Sequence, residues 1–326
     1  MGRAPTVAVV GAGLMGRWHA EAARRIGATV VAIIDVNTDL ASRLARQHSA
    51  VAVATLTDLP ASLATDVVHV CTPAATHRAT IIASLARGAH VICEKPLGVN
   101  LAEVRDCLAA AREAQKHLWP VHQYPHQRGT QRLLGRLTEL GSLQRVHFSF
   151  CTAGAQLNPT LDPATLTLDI LPHPFSVLAA AHLNPAGAQW HVTQTRPGEL
   201  TLSGAIDQVS IGIDISTSAR PTEAQALFYG TAATARMDFY HGFVTWRRGR
   251  PGRADKLLRP FADAAQASSA AATNLAWRLW NREFAYPGLS DLFRSCYASL
   301  TDSSIARDFD NTTIAIYSAV DQVRAQ

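Results

Sequence analysis

The sequence predicts an α/β chain of two domains, the first built on a doubly wound parallel sheet and the second an α+β domain with a predominantly antiparallel open sheet. Three observations predict this. Near-continuous apolar runs alternate with helix-length stretches over residues 6–120, a glycine-rich turn follows the first run directly, and from about Val121 strands succeed one another without a helix between each pair. At 326 residues the chain suits two cores of ordinary size, and the boundary is placed between domains 1–120 and 121–326.

Thr6–Val10, Thr29–Ile34, Val51–Ala54, Val67–Cys71 and Val91–Cys93 are the expected parallel strands. Their apolar runs show no alternation, as strands covered on both faces require. Met15–Ile26, Asp39–Gln47, Thr76–Arg87 and Leu101–Gln115 are the expected crossover helices. In the second domain the reading is helix over Gln127–Glu139, strand over Gln144–Cys151, helix near Leu166–His182, and β-rich segments from Trp190 to about Trp246. Residues 247–288 form a basic loop, an Ala/Ser-rich stretch and a run of aromatics, before closing helices at Leu289–Ser299 and Asp310–Arg324. No internal repeat is present.

Apolar residues make up 48% of the chain and charged residues 17%, so a core can form and disorder is excluded. No apolar run approaches the roughly 18 residues of a membrane span, and residues 1–16 read as strand and turn, not as a signal peptide; a cytoplasmic location is expected. Cys71, Cys93, Cys107, Cys151 and Cys296 are scattered and form no metal-like pair, so reduced thiols and no metal are expected. The net charge of +5 resides in Arg247, Arg248, Arg250, Arg253, Lys256 and Arg259, offset by Asp255. One basic loop lacks the array of cations that tracks a phosphate backbone, which argues against nucleic acid.

Gly11-Ala12-Gly13-Leu14-Met15-Gly16 follows the first strand and opens a helix, the context that gives a G-x-G-x-x-G match its meaning. The first Gly permits the tight turn, the second lets backbone approach a pyrophosphate, and the third allows close helix–strand packing, while the helix N-terminus offers N–H groups to negative charge. Asp35 closes the second strand about 20 residues onward, where a carboxylate holds a ribose 2′-hydroxyl. These features predict a Rossmann domain. NAD is expected over NADP, because a 2′-phosphate would meet the Asp35 charge and Val36 and Asn37 offer no cation; Arg17 or Arg43 arriving from elsewhere would argue the other way.

Four matches in order resemble the glucose-fructose oxidoreductase, inositol dehydrogenase and MocA group of dehydrogenases. They are the Gly11–Gly16 turn, Cys71-Thr72-Pro73 with His77, Glu94-Lys95-Pro96, and Asp169 with His173. The likeness extends to Tyr229-Gly230-Thr231 and the closing helices but is poor over residues 247–288. It implies hydride transfer between NAD(H) and a secondary alcohol or ketone of a sugar, cyclitol or sugar-nucleotide-like substrate, and a homodimer or homotetramer formed through the second-domain sheet. By the same resemblance His173 is the proton acceptor, Lys95 hydrogen-bonds the reacting oxygen and Asp169 orients or charge-tunes the pair. Leu14, Met15, Cys71, Thr72, Pro73, His77 and Glu94 join the glycines, Asp35 and Lys95 at the cofactor. The Lys95–Pro96 bond is expected to be cis.

The chemistry agrees with these roles, since oxidising an alcohol needs a base of near-neutral pKa and a group that stabilises developing alkoxide. Pro172 and Pro174 cut against a continuous helix through Asp169 and His173, so Asp169 is expected at or just before a first helical turn. The chain departs from the family at Leu171, where Gly is usual, and at Ser176, where an acidic or amide residue often stands. Gln123, Tyr124 and His126, where the chain passes between domains, are read as substrate contacts, with a polar loop of no role as the alternative. The mixture of cations with Phe261, Trp277, Trp280, Phe284 and Tyr286 suits an anionic or amphiphilic partner, or else a subunit interface or core patch. Two further readings stay open: a family member using nicotinamide for redox-assisted glycosidic cleavage or for imine or carbonyl reduction, and a dinucleotide-binding sensor without chemistry.

Overall fold

The computed structural model describes residues 3–152, 162–249, 252–300 and 306–326. The chain divides into two units, Met1–His122 with Leu289–Tyr317, and Gln123–Gly288 with Ser318–Gln326. The sequence reading drew a single boundary after residue 120; in the structure, Leu289–Tyr317 packs with the first unit.

In the first unit, β1 (Thr6–Val10), β2 (Thr29–Ile34), β3 (Val51–Val53), β4 (Val67–Val70), β5 (His90–Cys93) and β6 (Leu118–Pro120) form one sheet in the order β3-β2-β1-β4-β5-β6. Every pair is parallel. The order reverses between β1 and β4, and ligands of open α/β sheets bind beyond the strand ends at such a point. Val7, Val9, Val67, Val91 and Ile92 are fully buried, each stabilising the fold by about 1.5–3 kcal/mol. The crossover helices are α1 (Leu14–Arg25), α2 (Thr38–His48), α3 (His77–Ala86) and α4 (Leu101–Glu113). Asn37 and Asn100 cap α2 and α4 by accepting from Leu40 N–H and Glu103 N–H, whereas Gly13 opens α1 with no side chain to cap it. That leaves the first-turn amides of α1 available to an anion.

The second unit contains α5 (Arg128–Leu134), β7 (Leu143–Cys151), α6 (Pro163–Ile170), α7 (Pro172–Ala180) and the strands β8 (His191–Arg196), β9 (Glu199–Ile206), β10 (Val209–Ser216), β11 (Glu223–Gly230), β12 (Ala233–Asp238) and β13 (Phe243–Arg248). The sheet runs β13-β12-β11-β7-β10-β9-β8. It is antiparallel except for the parallel pair β7 and β10. On β7, Val146, Phe148 and Phe150 are buried at every second position, which places one face of the sheet in the core. The helix expected over Gln127–Glu139 stops at Leu134, before Gly135, and resumes as a 3₁₀ turn at Leu137–Leu140.

The largest departure is α8 (Arg253–Trp280), a 28-residue helix where the sequence suggested a basic loop and an Ala/Ser-rich stretch. Alanine carries helix propensity without an apolar period, and Pro260 inside the segment masks it further. Gln266 accepts from Trp246 N–H at 3.0 Å and Asp263 pairs with Arg247 at 3.0 Å, which ties α8 to β13. Phe261, Trp280 and Phe284 are 74%, 88% and 65% exposed, so these aromatics are not a core patch. Arg250 lies outside the described residues. The closing helices are α9 (Leu289–Ala298) and α10 (Ala306–Arg324). Among the described residues no helix is long and apolar enough to cross a membrane.

Candidate functional site

The three glycines after β1 are needed for different reasons. Gly11 has φ +97°, and a Cβ there would lie 2.7 Å from the Cys71 carbonyl oxygen; at Gly16 it would lie 1.7 Å from the Gly11 carbonyl oxygen. At Gly13 an added Cβ would meet nothing within 4 Å. The protein's own packing therefore requires the first and third glycines, while the second keeps a space clear beside the start of α1. Asp35 braces this turn: its Oδ2 accepts from Ala12 N–H at 2.6 Å and its Oδ1 from Asn37 N–H at 2.8 Å. A cavity of about 550 Å³ opens here, lined by Gly11, Gly13, Asp35, Cys71, Thr72 and Pro73 among others, with no Lys or Arg among the described residues that line it. Leu14 and Met15 open α1 outside that lining, and Leu14 is largely exposed. Burial, with the Glu94 and Cys93 charges, pushes the Cys71 thiol well above its ordinary range, so Cys71 lines the cavity as a neutral group.

His77 and Lys95 are outside that lining, on two linked turns. The His77 side chain is buried, with Nε2 2.7 Å from the Thr72 carbonyl oxygen and Nδ1 2.8 Å from the Pro96 carbonyl oxygen. It clasps the turn after β4 to the turn after β5. The Lys95–Pro96 peptide is cis, as the resemblance implied. Glu94 Oε2 accepts from Lys95 N–H at 3.2 Å, and Leu97 N–H donates to the Tyr317 hydroxyl at 2.7 Å, fixing the turn from both sides.

In the second unit His173 stands in the first turn of α7 and Asp169 in the last turn of α6. No continuous helix passes through both, as the two prolines require, and Asp169 lies just before the first turn of the helix that carries His173; the unexpected feature is that it also closes a preceding helix. Asp162 caps α6 by accepting from Ala164 N–H and Thr165 N–H, with Pro163 in the first turn, and Pro172 starts a new helix because it has no N–H to continue the old one. Tyr124 lies in the 3₁₀ turn Tyr124–His126 and stacks on His173, centroids 4.4 Å apart, and on Phe239 at 4.8 Å. Burial, reinforced by Asp238, pushes the Tyr124 hydroxyl well above its usual range, which keeps it a neutral donor. Buried Gln127 anchors the same turn by donating to the Phe239 carbonyl at 2.9 Å. Gln123 and His126 flank Tyr124, both half-buried. Leu171 is fully buried, and Ser176 donates to the His173 carbonyl at 2.7 Å, so both departures from the family pattern are absorbed by local packing.

Sequence reasoning missed three groups beside Glu94. His19 on α1 and His69 on β4 are fully buried, and Tyr297 on α9 reaches His69. A histidine within Val67-Val68-His69-Val70 gives no signal except that a polar ring in a buried strand needs a partner.

Residues 6–122 match the model of an oxidoreductase family with an NAD-binding Rossmann fold, GFO_IDH_MocA. An uncharacterized oxidoreductase, YgjR, of Escherichia coli (strain K12) is 31% identical over 48% of this chain and 48% of its own length. The scyllo-inositol 2-dehydrogenase (NADP(+)) IolU of Bacillus subtilis (strain 168) is 26% identical over 71% of this chain and 75% of its own. The chain spans about half or less of the length of the first curated relatives it matches. Among solved structures, the WlbA dehydrogenase from Bordetella pertussis in complex with NADH and UDP-GlcNAcA is similar with a TM-score of 0.76, at 16% identity over 99% of this chain and 96% of that one. At that identity the likeness establishes the fold alone.

Proposed function

We propose that this chain, whose residues 6–122 match the Gfo/Idh/MocA family of NAD-binding Rossmann oxidoreductases, transfers hydride between a nicotinamide dinucleotide and a secondary alcohol or ketone. The substrate class is a sugar, cyclitol or sugar-nucleotide-like molecule, the range spanned by the scyllo-inositol dehydrogenase IolU and the UDP-GlcNAcA-bound WlbA. The observation that carries the reading is the clear space at Gly13, framed by an uncapped helix start and the Asp35 carboxylate. A pyrophosphate suits the first-turn amides of α1, and a ribose hydroxyl suits the unused lone pairs of Asp35. The Asp35 charge, with no cation among the described residues lining the cavity, favours NAD over NADP.

When bound, the nicotinamide supplies the hydride acceptor or donor. The protein's own residues handle the proton and the charge on oxygen. In this reading Lys95 hydrogen-bonds the reacting oxygen, His173 takes the hydroxyl proton, and Asp169 tunes the imidazole. Tyr124 holds the His173 ring by stacking and, as a neutral phenol, can donate to a substrate oxygen beside Gln123 and His126. The polar face of the second-unit sheet is assigned to self-association, which light scattering reads directly.

The test is a panel of sugars, inositols and nucleotide sugars with NAD and NADP, followed at the nicotinamide absorbance. Turnover that is lost in both Lys95→Ala and His173→Ala supports the reading. Full activity in either variant on a substrate the wild type oxidises would remove that residue's role.

A further inference from the structure

Four side chains of the first unit form one unbroken hydrogen-bonded chain that ends at the turn bearing Lys95. The Tyr297 hydroxyl lies 2.9 Å from His69 Nε2, His69 Nδ1 lies 3.0 Å from His19 Nδ1, and His19 Nε2 lies 3.0 Å from Glu94 Oε1. The other Glu94 oxygen accepts from Lys95 N–H. Both imidazoles are fully buried, and Phe293 closes over them edge-on, with centroids 4.8 Å from His19 and 4.6 Å from His69.

Donor and acceptor bookkeeping fixes the direction of this chain. An ionised Glu94 only accepts, so His19 donates from Nε2 and its Nδ1 is left as an acceptor. His69 must then donate from Nδ1 and accept at Nε2, and the Tyr297 hydroxyl supplies that last proton. Every group is satisfied with two neutral imidazoles in opposite tautomers. Burial, with the His19 charge next, holds His69 well below its ordinary pKa, and desolvation holds the Tyr297 phenol well above its own, so both stay in the forms the chain needs. Among the described residues no group of three His, Cys, Asp or Glu side chains could hold a metal ion, so the two histidines and Glu94 are not a metal site.

We propose that Tyr297, His69 and His19 are positioning residues: a polarised chain, its direction set by the Glu94 carboxylate, that holds Glu94 against the Lys95 amide and so fixes Lys95 for its role. The proposal rests on the oxidoreductase reading only for that last clause. A buried carboxylate with one oxygen anchored to a ring and the other to a backbone amide cannot rotate, and its neighbour is the residue whose misplacement by about 1 Å can cost hydride transfer about 100-fold.

The test is nitrogen-15 NMR of the histidine rings and the Lys95 amide in the full chain, with His19→Gln and His69→Gln used for assignment. In the wild type at neutral pH the expected tautomers are Nε2–H on His19 and Nδ1–H on His69. In Glu94→Gln the side-chain amide donates to His19 while its carbonyl keeps the Lys95 amide, so both tautomers reverse. In Tyr297→Phe they stay, because the carboxylate end sets them. His19→Ala speeds exchange of the Lys95 amide about tenfold or more, and once a substrate is known it lowers kcat with little change in the dinucleotide Kd. Wild-type tautomers opposite to these, a cationic ring, unchanged tautomers in Glu94→Gln, or unchanged Lys95 exchange in His19→Ala would each overturn the proposal. None of these outcomes needs turnover, so a chain that transfers no hydride is distinguished from one that lacks this device.

Discussion

The imidazole of His173 lies on the face of Tyr124, centroids 4.4 Å apart and planes 17° from parallel. The stack joins a residue expected to accept a proton to one expected to touch substrate, across 49 positions of sequence. Tyr124→Phe keeps the stack and loses only the hydroxyl, whereas Tyr124→Ala removes the stack. Stacking is worth about 0.5–1.5 kcal/mol, so Tyr124→Ala should lower kcat about 2- to 10-fold more than Tyr124→Phe. The comparison is made on kcat/KM against pH, where loss of the stack should also move the limb assigned to His173. Equal rates and profiles for the two variants would sever the ring stack from the chemistry.

Gly13 and Gly16 separate binding from folding. A Cβ at Gly16 falls 1.7 Å from the Gly11 carbonyl oxygen, whereas at Gly13 none of the protein lies within 4 Å. Gly16→Ala should therefore reduce soluble yield and melting temperature. Gly13→Ala should melt within about 2 °C of the wild type, as substitutions free of packing conflict do, yet bind dinucleotide at least about tenfold more weakly. Calorimetry and nicotinamide fluorescence read the two effects. Wild-type dinucleotide affinity in Gly13→Ala would mean that the clear space serves nothing that binds.

The first unit was legible because its signals are local. β1 and β2 fall where the apolar runs place them, and the glycine turn stands beside Asp35 as its spacing requires. The exposed helix α8 was not legible, since Pro260 and an Ala/Ser-rich middle separate the few large apolar side chains at its two ends. The break between Asp169 and His173 was legible from Pro172, but not the separate helix that Asp162 and Pro163 open before it, which puts Asp169 in a last turn. His19, His69 and Tyr297 were invisible for a different reason: their pairing spans 50 and 228 positions and follows from strand order, which no local motif encodes.

In the proposed reading Asp35 links cofactor choice to the shape of the glycine turn. Its carboxylate receives the Ala12 and Asn37 amides and is the one charge among the described residues that line the cavity. Hydrogen bonds to a charged group contribute about 1.5–3 kcal/mol, so Asp35→Ala should weaken NAD binding about 10- to 100-fold. NADP binding should fall less, because the same change removes repulsion of the 2′-phosphate. Titration of both dinucleotides into the variant measures the ratio. An NAD to NADP preference identical to the wild type would show that Asp35 braces the turn and selects nothing.

His90 predicts an acid-sensitive edge of the parallel sheet. Its ring stacks on His117, centroids 5.0 Å apart, with Trp119 5.9 Å away, and its Nδ1 accepts from the His117 N–H at 3.0 Å. Burial, then the Lys116 and His117 charges, lower its pKa from 6.5 to about 4, against a smaller opposing pull from Asp66. Protonating Nδ1 would set a donor against a donor. Since the folded-state value is depressed, the unfolded chain binds the proton first, and the stabilisation is complete above the unfolded pKa of 6.5 and is lost as pH falls towards about 4. His90→Gln keeps a carbonyl to accept from His117 and removes the titration. Urea midpoints followed from pH 7 to pH 4 should fall more steeply for the wild type than for His90→Gln, the two curves approaching each other in acid. Parallel curves over that range would show that this imidazole does not carry the acid dependence.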